Sequence, residues 1–125
     1  MVLLDSYPFD KLRLPPGETA QWKAHNPTFH RGSDYGIVLT DQALYLYSPF
    51  WLWFARWRRI PLFQIRGIAF KNSYLFPSLN VATVTGREVL RTPLDYRDEM
   101  DYDRENLRQA TDHVLQALAS ASRQN

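Results

Sequence analysis

The 125-residue chain contains no cysteine. That removes disulfide frameworks, thiolate nucleophiles and cysteine-based zinc sites together. It has three lysines and a formal net charge of only +2, so no overall field draws it to nucleic acid or to a membrane. Its five glycines are scattered and cannot form a loop that cradles phosphate. Gly-x-Ser-x-Gly, P-loop, Gly-x-Gly-x-x-Gly and His-Glu-x-x-His motifs are all missing. The expectation is a protein that is not an enzyme and needs no cofactor. Long apolar runs are also lacking. The longest uncharged stretches, Gln42–Ala55 and Asn72–Gly86, are 14 and 15 residues and contain Pro49 and Pro77. A spanning helix needs ~18–20 apolar residues. The first residues lack the basic start, apolar stretch and cleavage site of a signal peptide. A cytoplasmic protein is expected, with peripheral membrane attachment left open.

What is present suits one globular domain. Apolar residues make up 45% of the chain and charged residues 22%, a composition able to bury a core. Residues 1–13 read as a leader whose Leu3, Leu4, Tyr7, Phe9 and Leu12 can pack on the domain. Residues 14–122 are expected to form the domain, and 123–125 a tail.

Seven short strand candidates follow, separated by turn residues. They are Glu18–Ala24, Ile37–Thr40, Ala43–Tyr47, Arg56–Ile60, Arg66–Phe70, Val81–Thr85 and Glu88–Thr92. Thr40-Asp41-Gln42 predicts a hairpin turn, Pro61 places its strand at an edge or an end, and Pro77–Asn80 predicts a turn. The tail changes period. Leu107, Thr111, Val114, Leu115 and Leu118 predict one stripe of a helix, with Asp103 as its N-cap. The fold class is therefore mainly β, closed by one C-terminal α-helix.

The order and spacing of several motifs carry a resemblance. Leu14-Pro-Pro-Gly-Glu18 precedes the first strand. Leu39-Thr40-Asp41 and Ala43-Leu44-Tyr45 make the next hairpin. Ile60-Pro-Leu-Phe-Gln-Ile65 follows, then Gly86 between the last strands. Together they resemble GRAM-like and bacterial PH-like domains of the pleckstrin-homology superfold. The resemblance implies a seven-stranded bent sheet or barrel capped by the helix. Lipocalin-like and OB-type barrels with an added helix are the rival architectures. It also implies binding to phosphoinositides, acidic membranes or proteins. The family's basic lipid motif lies after the first strand. Here that stretch, His25–Asp34, holds one Arg and one Asp, with Lys23 just before it, and makes no convincing headgroup pocket.

The near-neutral total hides two charge blocks. No acidic residue lies between Asp41 and Glu88, while Arg56, Arg58, Arg59, Arg66, Lys71 and Arg87 give +6. Residues 95–112 carry seven acids against three arginines, a net −4. The basic block adjoins Phe50-Trp-Leu-Trp-Phe-Ala-Arg-Trp-Arg-Arg59, an aromatic run without alternation. Phe50, Trp51, Trp53 and Phe54 form the candidate interaction surface, because Trp, Phe and Arg are enriched where proteins meet. The partner would be another protein or a second copy. The same rings suit a membrane interface, with Arg56, Arg58, Arg59 and Arg66 as anion or lipid-headgroup ligands. A third reading folds the rings into the chain's own core, with Trp57 inward and Arg56 and Arg58 outward. That register leaves Ile60 on the arginine face unless a bulge shifts it.

Nucleic acid is the weaker partner, since the acidic block repels a phosphate backbone. That block reads as a solvated linker and helix start. Asp98, Asp101 and Asp103 can be drawn around a cation but lack the EF-hand glycine and terminal glutamate. His25, His30 and Asp34 can be drawn around a metal, with nothing to fix their geometry. His113 reads as a boundary residue beside the helical stripe.

Overall fold

The computed structural model describes residues 8–25, 35–47, 57–72, 77–91 and 100–123. Phe50, Trp51, Trp53, Phe54 and Arg56 lie outside the described residues, as do His30, Asp34 and Asp98. The strands are β1 (Ala20–Ala24), β2 (Gly36–Thr40), β3 (Ala43–Tyr47), β4 (Trp57–Pro61), β5 (Ile65–Lys71), β6 (Ser78–Thr83) and β7 (Gly86–Arg91). Helix α1 spans Met100–Arg123. The seven strands form two antiparallel sheets, ordered β1-β2-β3-β4 and β5-β6-β7, and α1 packs on both.

Alternation along the four-stranded sheet divides it into two apolar faces. Ile37 and Leu39 of β2, Leu44 and Leu46 of β3 and Ile60 of β4 face the main core. There they meet Ile65, Leu79, Val81 and Leu90 of the second sheet and Leu107, Ala110 and Val114 of α1. Val38, Ala43 and Tyr45 face the other way and are also buried. Every residue of β2 and β3 is therefore buried, which is why both read as continuous apolar runs and not as half-buried strands.

The N-terminal segment covers that outer face. Phe9, in a 3-10 turn at Phe9–Lys11, is fully buried against Val38, Ala43 and Tyr45, with Leu12, Leu14, Ala20 and Trp57 around them. Lys23 Nζ lies 4.6 Å from the Phe9 ring centroid, and a cation over an aromatic face is attracted to it. A bulge in β1 serves both faces. Ala20 pairs with Thr40 and Trp22 with Leu39, so Gln21 is the extra residue. Ala20 then joins the outer cluster while Trp22 reaches the main core.

Four local expectations are corrected. Ser78, Leu79 and Asn80 belong to β6 and pair with β7; Pro77 precedes the strand, where its missing N–H removes no ladder bond. Trp57 faces the outer cluster, and Arg58 shares the inner face with Ile60, with no bulge between β3 and β4. The helix begins at Met100, so Asp103 lies inside its first turns, where it accepts the Tyr35 hydroxyl at 2.8 Å. Finally, the buried stripe is Asp103, Leu107, Ala110 and Val114, with Ala117 and Leu118 partly buried, and Leu115 is exposed. At about 100° per residue, alanines at 110 and 117 sit nearer the stripe's centre than Leu115 does. Their small side chains let the helix approach the sheets.

Candidate functional site

The turn Pro15-Pro16-Gly17-Glu18 sets the first polar cluster. Glu18 N–H donates to Pro15 C=O at 3.2 Å, and Gly17 has φ +84°. Proline at the second position and a positive-φ glycine at the third make a type II turn. It delivers Glu18 to the edge of the outer cluster with its side chain 1% exposed. One carboxylate oxygen, Oε1, accepts the Thr40 hydroxyl at 2.6 Å and the Tyr45 hydroxyl at 2.9 Å. The other accepts Arg59 Nη2 at 3.2 Å, and Arg59 Nε donates to the Tyr45 oxygen at 3.0 Å. Buried charge is tolerated where both carboxylate oxygens meet donors in this way. Thr40 Oγ1 also accepts the Gln42 and Ala43 amides, which shapes the β2–β3 turn. Burial, then the Glu18 carboxylate, pushes the Tyr45 phenol up from its ordinary value. Arg59 is held above its own, first by the Tyr45 hydroxyl and then by Glu18.

Arg58 points into the gap between the sheets. It pairs with Glu88 of β7, and its Nη2 donates to Val89 C=O at 3.3 Å. Among the described residues, the two arginines nearest the aromatic run, Arg58 and Arg59, thus both hold carboxylates of their own chain. Arg66 is exposed on β5 and has no acidic partner among the described residues.

Trp57, the last ring of the run, is used internally. Its indole N–H donates to Pro8 C=O at 3.2 Å, and its ring lies 5.8 Å from Phe9 and 5.3 Å from Tyr47. Tyr47 and Trp57 are directly paired. Tyr47 and Trp57 therefore lie at the end of the sheet where β1 ends and β2 begins.

A second polar cluster anchors α1. Tyr35 donates to Asp103, Asn106 Nδ2 donates to the Tyr35 oxygen at 2.9 Å and to His25 C=O at 3.1 Å. His113 stacks on Trp22 at 4.9 Å, half-buried at the helix boundary. Among the described residues, no three His, Cys, Asp or Glu side chains are grouped as a metal site would require. No described helix is long and apolar enough to cross a membrane.

Sequence reasoning missed Glu18, Thr40 and Tyr45 as a unit. The one available signal was a charged residue placed by a Pro-Pro-Gly turn directly before a strand. Comparison with known proteins finds no matching family model, no matching curated protein and no matching solved structure.

Proposed function

We propose that this chain is a PH-like, non-catalytic binding module that contacts another protein, or a second copy of itself, through residues 50–59. Seven strands in a four-plus-three arrangement with a C-terminal helix across both sheets are consistent with the PH-like superfold. One observation favours a protein contact over an acidic membrane: Arg58 and Arg59 are already engaged by Glu88 and Glu18. A cation near an anionic surface contributes about 1 kcal/mol. Taking two of the four candidate arginines out of play leaves about 2 kcal/mol for the lipid reading. Burying a single large apolar side chain is worth about 1.5–3 kcal/mol, so the rings of Phe50, Trp51, Trp53 and Phe54 dominate what the segment can offer.

Light scattering over a concentration series tests this, with wild type compared to Trp51→Ala/Trp53→Ala. A wild-type mass that climbs above 14.7 kDa and falls back in the variant is expected for self-association. Sedimentation with anionic vesicles is the counter-test: pelleting that depends on the same two tryptophans would replace the protein reading by the lipid one.

A further inference from the structure

The three-stranded sheet has one face on the core and one in water. Leu79 and Val81 of β6 are buried in the main core, so Asn80 and Ala82 point the other way. Gly67 and Ala69 of β5 and Arg87 and Val89 of β7 are their cross-strand neighbours. Ala69, Ala82 and Arg87 are exposed, and α1 packs on the opposite side, in the core with Leu79 and Val81. Glycine and alanine make the middle of the outward face, and solvent reaches it.

The charge on this face is of one sign. Arg66, the extra residue of the bulge between Ile65 and Gly67, Lys71 at the end of β5, and Arg87 are all exposed. None has an acidic partner among the described residues. β5 and β6 hold no acid. Glu88 of β7 lies opposite buried Val81, on the core side, and is paired with Arg58. Glu18 is paired with Arg59. Asp41, on the neighbouring β2–β3 turn, is exposed and accepts the Thr19 amide. Three cations without an ion pair thus stand against that one exposed carboxylate.

At one end of the same face two large apolar side chains stand in water, Phe63 at 79% and Val84 at 48%. Phe63 lies in the 3-10 turn Leu62–Gln64 before β5, and Val84 in the β6–β7 turn. The Val84 amide donates to Gln64 C=O at 3.0 Å, and the Leu62 amide donates to Gln42 C=O at 2.9 Å. The turn carrying Phe63 is therefore held from both sides. Arg66 follows Phe63 by three residues, and Arg87 follows Val84 by three.

We propose that this face rests on an anionic lipid surface, with Phe63 and Val84 entering the headgroup layer and Arg66, Lys71 and Arg87 among its phosphates. The cations fix the sign of the partner. The exposed apolar tips fix its second property, an apolar interior within their reach. A bilayer offers both and yields around a protruding ring, where a protein has to present a pocket shaped for it. Nucleic acid offers the charge, but the face itself carries no ring on which bases stack. A second copy docked through the same face would set like charges together. The contact shares no residue with the 50–59 segment or with the His25–Asp34 stretch after β1.

Flotation of the full chain with phosphatidylcholine vesicles, with and without phosphatidylserine, at low and high salt tests it. Binding is expected only with phosphatidylserine and should fall as salt rises. Arg66→Gln/Arg87→Gln and Phe63→Ser change exposed positions, and circular dichroism checks that each variant folds. Each should lower the partition coefficient about tenfold, equivalent to about 1.4 kcal/mol. The cysteine-free chain also accepts a single thiol-linked fluorophore. A probe on Phe63→Cys is expected to shift to the blue on these vesicles, and one on Leu115→Cys, exposed on α1, to stay unchanged. A wild type that does not float at low salt overturns the inference, as does equal binding to pure phosphatidylcholine. Binding lost in Trp51→Ala/Trp53→Ala but kept in Arg66→Gln/Arg87→Gln also overturns it and assigns lipid to the 50–59 segment. A blue shift on Leu115→Cys in place of Phe63→Cys overturns it too. An oligothymidine strand that binds through the same arginines when vesicles do not would assign the face to nucleic acid and overturn it equally.

Discussion

Glu18 and Arg59, 41 residues apart in the chain, meet at 3.2 Å with the Tyr45 hydroxyl bonded to both. The carboxylate is almost fully buried, while the Arg59 side chain is 38% exposed. Glu18→Ala takes the acceptor from the Tyr45 hydroxyl and the carboxylate from the guanidinium, while the Thr40 hydroxyl can still donate to Ala43 C=O at 3.2 Å. Removing one partner of a fully buried pair costs about 3–5 kcal/mol. Because water can reach Arg59, the expected loss is smaller, about 2 kcal/mol. A urea midpoint lowered at unchanged slope checks it.

Tyr45 ties stability to alkaline pH. Its folded pKa stands above the ordinary value of 10.0, through burial first and Glu18 second. On raising the pH, the unfolded chain loses this proton before the folded one does. The associated stability is fully present below about pH 10 and declines as pH rises through the folded value. Tyr45→Phe is expected to flatten that part of the stability profile, and to cost about 1 kcal/mol at neutral pH for the lost hydrogen bonds. Identical alkaline slopes for variant and wild type would refute the assignment.

Gly36 sits beneath Trp57 and Pro8. A Cβ there would lie 2.7 Å from Trp57 Cη2 and 2.9 Å from Pro8 Cγ. Gly36→Ala must push the indole off its seat, at a cost of about 1–3 kcal/mol. Gly67 has nothing within 4 Å of the same position, so Gly67→Ala is expected to be neutral or to stabilise by less than about 1 kcal/mol. Thermal unfolding of the two variants side by side measures the contrast.

Phe9 is buried on the outer face of the four-stranded sheet. Phe9→Ala is expected to cost about 3 kcal/mol and to speed protease cleavage within residues 8–17. A stable variant with unchanged cleavage would mean that the sheet's outer face does not depend on this ring.

Element types were readable from short stretches of chain. Val, Ile, Leu and Tyr runs between turn residues marked β2 and β3 to the residue or nearly so, and the 3.6-residue period marked α1. Both signals arise from side chains a few positions apart. Strand ends were less legible: Ser78 and Asn80 look like turn residues, but hydrogen-bond to each other at 3.0 Å within β6. Alternation placed Arg58 and Ile60 on one face and Trp57 on the other, as the unbroken β3–β4 register has them, but which face meets the main core was not legible. Alternation separates two faces, but here both are covered, and a tryptophan packed under Phe9 looks locally the same as one packed into the main core.

Composition and local period were thus sufficient to specify a cysteine-free, mainly β chain ending in one amphipathic helix, because propensity and periodicity act between near neighbours. Pairing over long separations set the rest: Glu18 with Arg59, Arg58 with Glu88, Tyr35 with Asp103, and the N-terminal segment against the back of the sheet. Which charge is neutralised and which ring is left in water depends on partners that only chain folding brings within a few ångströms. Arg66 and Phe63 are therefore distinguished from Arg59 and Phe9 by their surroundings and not by their residue type.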